Sequence, residues 1–223
     1  MGAASLIMPL GPIAILGGTG HQGSGLARRL AKAGMPVIVG SRDPQRARTT
    51  VAEWTAKVDV GDYGSAAAAA ETIVLAVPFD TIDPILEDIA GRLADGAVVI
   101  DITVPLTFAA GRMALADVPE GSAAEHIRAR LPPSARLACA FKTMPAHLLD
   151  RVDEPLDCDE FVCADSDDAR ERALALVAAL PGLRGIDVGP LSRARSIEHL
   201  TALAVAINRR HKRHDARFRV VGL

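Results

Sequence analysis

The 223-residue chain reads as α/β, a doubly wound parallel sheet with a smaller C-terminal unit. Three observations predict this. Short, wholly apolar runs alternate with helical patterns through the first two thirds, as parallel strands covered on both faces require. A glycine-rich turn, Gly18-Thr19-Gly20-His21-Gln22-Gly23, joins the first apolar run to the first helical stretch. After Gly189-Pro190 the pattern changes to one long amphipathic segment.

In chain order, buried strands are read at Ile13 to Leu16, Val37 to Val39, Ile73 to Val77, Val98 to Ile102 and Leu137 to Phe141. Crossover helices of suitable length lie between them at Gln22 to Ala33, Pro44 to Ala56, Ser65 to Glu71, Pro84 to Leu93 and Ala123 to Leu131. Strand, helix and parallel strand in repetition give a doubly wound sheet. The tract Ala66 to Ala70 has high helix propensity and no chemistry of its own. Pro105 to Gly121 is the least regular stretch and reads as a loop after a strand end, a position from which loops shape active sites. Ser166, Asp167 and Asp168 suit the start of a helix that runs to Leu180 and is stopped by Pro181-Gly182. Leu191, Ala194, Ile197, Leu200, Leu203, Ala204 and Ile207 recur at helical spacing, and the helix ends in Arg209, Arg210, His211, Lys212 and Arg213, cations that complement its dipole. Val220 and Val221 suggest a closing strand. The expected division is a dinucleotide-binding Rossmann-type domain over residues 11–142 and a smaller C-terminal domain over residues 143–223.

Composition limits the function classes. Hydrophobic residues make up 49% of the chain, enough for a sizeable core, and the net charge of −2 provides no basic field for nucleic acid or an anionic membrane. Small soluble ligands fit better. Cys139, Cys158 and Cys163 are odd in number and contain no CxxC pair, which suits buried free thiols in a reducing compartment and hence the cytoplasm. No segment has the roughly 20 apolar residues needed to span a bilayer, and Met1 to Leu10 lacks a basic leader region, so it reads as a short extension before the first strand. The histidines are scattered, with His211 and His214 in a charged tail that has no third ligand nearby, so no metal site is expected.

The glycine turn carries the clearest chemistry. Gly18 is assigned to the tight turn out of the strand, Gly20 to close approach of the backbone to a pyrophosphate, and Gly23 to close packing of helix on strand. The pyrophosphate then sits on the amides of a helix N-terminus. Such a turn is informative only between a strand and a helix, which is its context here. At the end of the next strand, where an NAD site places a carboxylate, stand Ser41 and Arg42, with Arg46 one helical turn on. Two arginines suit the 2′-phosphate of NADP, each charge-assisted hydrogen bond contributing roughly 1.5 to 3 kcal/mol. Asp43 precedes Pro44, the pattern of an N-cap rather than of a ribose ligand.

No catalytic acid or base stands out. The only tyrosine, Tyr63, is followed four residues later by Ala67, so a Tyr-x-x-x-Lys pair is missing. The four lysines are Lys32, Lys57, Lys142 and Lys212, and none falls in the long helix before its end, so a lysine acid would have to be Lys142. A dehydrogenase with no evident proton donor needs an acceptor that holds the charge left by hydride transfer, as flavin-like rings do, while the protein orients two rings in a dry cleft.

The segments GGTGHQGSGLARRLAKAG, VGSRDP, LAVPFD, DITVPL, GSAAEHI, TMPA and DVGPLSRARSIEHLTAL resemble those of the NADPH:F-420 oxidoreductases, also called F-420-dependent NADP reductases. These pass hydride between NADP and an 8-hydroxy-5-deazaflavin. The similarity runs from about Ile13 to the C-terminus, and the late GPL segment sets it apart from generic Rossmann domains. The resemblance implies that Thr19, Gly20, His21 and Gln22 line the pyrophosphate and that Ser41, Arg42 and Arg46 hold the 2′-phosphate. It further implies that Val77, Phe79, Leu106 and Ala146 approach the ribose and nicotinamide. The deazaflavin would lie between the strand ends near Val104 and Thr143 and the long C-terminal helix. Homodimers paired through the C-terminal unit are implied, burying Leu200, Leu203 and Ile207. Lys142 stands where the family more often has Asn or His. An NADPH reductase of another flavin or metabolite, and an NADP-binding regulatory protein without turnover, stay open as alternatives.

Overall fold

The computed structural model describes residues 10–109 and 112–223. Apart from Leu10, the N-terminal extension lies outside the described residues. β1 (Ile13–Leu16) is followed by α1 (His21–Lys32), β2 (Val37–Gly40), α2 (Pro44–Val51), the short β3 (Asp59–Gly61), α3 (Tyr63–Ala68), β4 (Thr72–Leu75), a 3-10 turn at Phe79–Thr81 leading into α4 (Ile82–Ala90), and β5 (Val98–Asp101). A hairpin of β6 (Leu106–Ala109) and β7 (Arg112–Leu115) then leads to α5 (Ala123–Arg128), β8 (Arg136–Cys139), α6 (Ala146–Asp150), β9 (Cys158–Ala164), α7 (Asp167–Ala178), β10 (Leu183–Pro190) and α8 (Ala194–His211).

Eight strands form one sheet in the order β10-β9-β8-β5-β4-β1-β2-β3. Every pairing in it is parallel except β8 with β9. Strand residues alternate between two cores: Ile13 and Ile15 pack on one face with Leu26 and Leu30 of α1, while Ala14 and Leu16 pack on the other with Ile85 and Leu86 of α4. The chain winds outward from β1 through β2 to β3, then returns to the other side of β1 with β4, β5 and β8. The C-terminal ends of these parallel strands therefore share one edge, and the winding reverses between β1 and β4, where open α/β sheets bind ligands.

Several elements differ from the sequence reading. Pro105 to Gly121 is not all loop, because Leu106 pairs with Leu115 and Phe108 with Met113 in the hairpin. β9 and β10 were not expected. Asp159 and Glu160 break the apolar run of β9, although the whole strand is buried. Both strands lie in the 143–223 stretch and extend the common sheet. The closing strand at Val220 and Val221 does not form: side chains hold that segment, with Val220 N–H donating to Asp159 Oδ2 and Arg184 Nη2 donating to the Val220 carbonyl. α2 stops at Val51, five residues short of Ala56. All three cysteines are free and buried. Among the described residues, no helix is long and apolar enough to cross a membrane.

Candidate dinucleotide and acceptor site

The turn after β1 is built for backbone contact. The positive φ of 83° falls on Gly17, not on Gly18 as the motif spacing suggested. A Cβ at Gly17 would meet the Ala76 carbonyl and Val77 Cγ1, so this glycine allows both the turn and its contact with the end of β4. Gly18 is confined differently, since a Cβ there would stand 2.9 Å from the Ile15 carbonyl oxygen and 3.1 Å from Val39 Cγ1. Gly20 is the exposed N-cap of α1. A Cβ at Gly23 would collide with the Gly17 carbonyl oxygen, which is the close packing of helix on turn that position requires. Thr19, Gly20 and His21 are exposed at the helix start. The Gln22 side chain is committed elsewhere: its amide donates to the Phe141 carbonyl at 2.5 Å, tying the turn to the end of β8 and leaving its backbone N–H at the helix terminus.

At the end of β2, the Ser41 hydroxyl and the backbone of Asp43 bond at 3.1 Å. Asp43 caps α2 by accepting from the Arg46 N–H at 3.0 Å, with Pro44 in the first turn, so its carboxylate is used locally. The capped turn displays Arg42 and Arg46 as exposed guanidinium groups on either side of it.

The other expected residues follow β4, β5 and β8. Val77 is buried against the Gly17 turn. Phe79 is half-buried and meets His126 edge-on, with ring centroids 5.1 Å apart. His126 is fixed in turn, Nε2 at 2.7 Å from Asp83 and Nδ1 at 3.1 Å from Glu120. Leu106 starts the hairpin, and its N–H bonds back to the Val104 carbonyl at 2.8 Å. Ala146 opens α6, which is clamped to α1 because Arg29 donates to the carbonyls of Leu148, Leu149, Arg151 and Glu154. The fold thus gathers the expected positions along the C-terminal edge of the sheet, on the loops after β1, β2, β4, β5 and β8.

Sequence reasoning missed the polar centre beneath this edge. Lys142 Nζ is fully buried and donates to Asp101 Oδ2 at 2.6 Å, the Thr103 carbonyl at 2.5 Å and Glu198 Oε1 at 3.3 Å. Burial alone would lower the lysine pKa, but the Asp101 and Glu198 carboxylates outweigh it and hold the ammonium protonated above the ordinary lysine range. Each of its three protons has an acceptor, so Lys142 is not the spare proton donor that the lysine inventory allowed. Glu198 also accepts from the Ala123 N–H at 3.0 Å, and Thr201 of α8 donates to the Lys142 carbonyl at 2.9 Å. α8 is therefore tied across the strand ends by polar bonds. Beside it, Glu160 accepts from the Thr143 hydroxyl at 2.9 Å, and burial pushes the Glu160 pKa up to about 7. Partners 41 and 56 residues away from Lys142 gave no local signal, although an acidic residue at 198 within a run of helix-core positions was a visible anomaly.

Comparison with known proteins places this geometry. The sequence signature described as "NADP oxidoreductase coenzyme F420-dependent" matches residues 12–105. The chain is 40% identical over 221 residues to the F420-dependent NADP reductase of Methanothermobacter thermautotrophicus, covering 95% of each chain. It is 33% identical over 228 residues to the enzyme of the same name from Methanocaldococcus jannaschii, covering 95% of this chain and 98% of the relative. The crystal structure of an Arthrobacter sp. FB24 protein assigned as an F420-dependent NADP reductase superposes with a TM-score of 0.79 at 27% identity, covering 94% of this chain and 98% of that one. The chain belongs to the F420-dependent NADP reductase family.

Proposed function

We propose that the protein transfers hydride between NADP(H) and the 8-hydroxy-5-deazaflavin coenzyme F-420. The observation that carries this reading is the 40% identity to an F420-dependent NADP reductase, sustained over 95% of both chains and so including both the glycine turn and α8. The turn fits a dinucleotide on its own terms. Glycine at positions 17, 18 and 23 lets the turn pack tightly against the strand ends and against α1, which leaves a helix N-terminus at its exposed side, where backbone N–H groups favour an anion.

In this reading residues 11–142 hold NADP(H). Gly18, Thr19, Gly20, His21, Gln22 and Gly23 form the pyrophosphate turn, and Ser41, Arg42 and Arg46 hold the 2′-phosphate. Val77, Phe79, Leu106 and Ala146 form an apolar wall that excludes water and fixes the nicotinamide. When bound, the two coenzymes supply the hydride donor and an acceptor ring that delocalises the resulting charge. The chain supplies position: Gln22 joins the turn to β8, Arg29 holds α6 against α1, and the Lys142 cluster holds α8 over the strand ends. No side chain acts as a general acid or base. Residues 143–223 complete the acceptor site and pair two copies of the chain through α8. Leu203 and Ile207, 50% and 39% exposed, lie together on one side of that helix and suit a self-complementary contact. We place the homodimer in the cytoplasm.

The direct test is absorbance spectroscopy with NADPH and oxidised F-420. NADPH-dependent bleaching of the deazaflavin band is expected. NADPH binding with no bleaching at saturating enzyme would sink the reading.

A further inference from the structure

A cavity of about 640 Å³ lies between the start of α6 and the C-terminal half of α8, in the size range of small-ligand pockets. Thr143 and Ala146 form one wall and Thr201 the other, so it opens from the strand ends near which the acceptor ring is placed. The face of α8 that is buried at Ile197 and Ala204 continues into this cavity. Leu203 and Ile207 point the other way, so pairing through them would leave the cavity free.

The far end of the cavity is basic. Arg209, Lys212 and Arg213 line it, and no Asp or Glu does so among the described residues. Stabilising the helix dipole accounts for cations in the last turn of α8, but not for those beyond it. Lys212 caps the helix with φ 52° and ψ 45°, turning the chain back. The reversal is fixed by two hydrogen bonds: Arg213 N–H donates to the Asn208 carbonyl at 2.8 Å, and Ala216 N–H donates to Asn208 Oδ1 at 3.0 Å. It brings Lys212, Arg213 and His214 over the same opening, where the His214 ring stands 6.4 Å from that of His147.

We infer that this basic cavity binds the anionic side chain of the deazaflavin coenzyme, its phosphodiester and glutamyl carboxylates, while the ring occupies the apolar cleft. The inference rests on the function proposed above. The chemistry matches: clustered cations recognise phosphodiester and carboxylate oxygens by charge-assisted hydrogen bonds, and they do so at the water-facing end of the cleft, where a hydrated tail keeps its solvent. The ring alone has no group that needs the Lys212 and Arg213 cations beyond the last turn of α8.

The test is equilibrium binding, read from the intrinsic fluorescence of the deazaflavin and independent of turnover. Titrations compare F-420 with the tail-less ribityl 8-hydroxy-5-deazaflavin, in the wild type and in a Lys212→Glu/Arg213→Glu double variant. Wild-type protein is expected to prefer F-420 at least tenfold at low salt, with the preference shrinking as salt rises. The double variant should lose at least tenfold of that preference, and Arg213→Gln should lose part of it. Equal wild-type affinities for the two ligands, or a full preference kept by the double variant, overturns the inference. Failure of the proposed function is distinguishable: NADPH would reduce neither deazaflavin even where the binding preference is intact.

Discussion

Lys142 Nζ and Glu198 Oε1 lie 3.3 Å apart with both side chains wholly buried, so the segment leaving β8 is ion-paired to the first half of α8. Asp101, at the end of β5, completes the cluster at 2.6 Å from the same ammonium. A buried pair of this kind is weak evidence for net stability over an apolar substitute, because desolvation offsets much of the attraction. What it provides is placement: α8 can dock only where its carboxylate meets the ammonium. Removing one partner is another matter, because it strands the others.

Lys142→Met leaves the buried Asp101 without its counter-ion and leaves Glu198 only the Arg195 guanidinium, 3.5 Å away. The expected loss is about 3–5 kcal/mol, read as a shift of the urea midpoint at unchanged slope. A loss below about 1 kcal/mol, the range of exposed pairs, would mean that the cluster does not hold the two elements together.

Glu160 gives a pH dependence of definite sign. Its pKa is raised by burial to about 7, so between the ordinary glutamate range and pH 7 the native state keeps a proton that the unfolded chain has released. Stability therefore falls as pH rises through that window and is flat below it, by about 3 kcal/mol in all. Glu160→Gln keeps an acceptor for the Thr143 hydroxyl and removes the titration. Denaturation from pH 5 to pH 8 should show the variant gaining on the wild type, and parallel slopes would contradict the assignment.

Arg42→Glu should raise KM for NADPH by at least tenfold to a hundredfold, the worth of one charge-assisted bond to the 2′-phosphate. KM for NADH should change little. Equal effects on the two coenzymes would remove Arg42 from the phosphate site.

Gly23→Ala places a methyl group against the Gly17 carbonyl and forces α1 away from the turn. Overpacking of this kind costs about 1–3 kcal/mol, and NADPH affinity measured by nicotinamide fluorescence should fall at least tenfold. Unchanged affinity would show that the turn tolerates a displaced helix.

The sheet was legible wherever strands are buried on both faces, because such strands read as unbroken apolar runs. β1, β4, β5 and β8 were found within a residue or two at their starts for this reason. β9 escaped because it carries Asp159 and Glu160 inward, the first paired with Arg184 at 2.7 Å and the second hydrogen-bonded to Thr143. Charge in a sequence reads as surface unless its partner is known, and these partners come from other elements. The hairpin after β5 was hidden by turn-forming residues on both sides of it. The phosphate turn was readable because its constraint is local, a fixed spacing of glycines between strand and helix. Even there, Gly17 carries the positive φ, and two adjacent glycines do not reveal from sequence which one turns the chain. The Lys142 cluster was invisible as a whole, since its three side chains meet only when the sheet and α8 are assembled.

Transfer of deuterium from the hydride position of labelled NADPH to F-420, followed by mass spectrometry of the reduced deazaflavin, tests the proposed chemistry most directly. The carbon that accepts hydride in a 5-deazaflavin does not exchange its hydrogen with water, so direct transfer between two oriented rings retains the label. Retention of deuterium in the reduced deazaflavin is the predicted result. Reduced deazaflavin carrying only solvent hydrogen, or NADPH oxidation with no labelled product, would contradict direct transfer in a site without an acid or base.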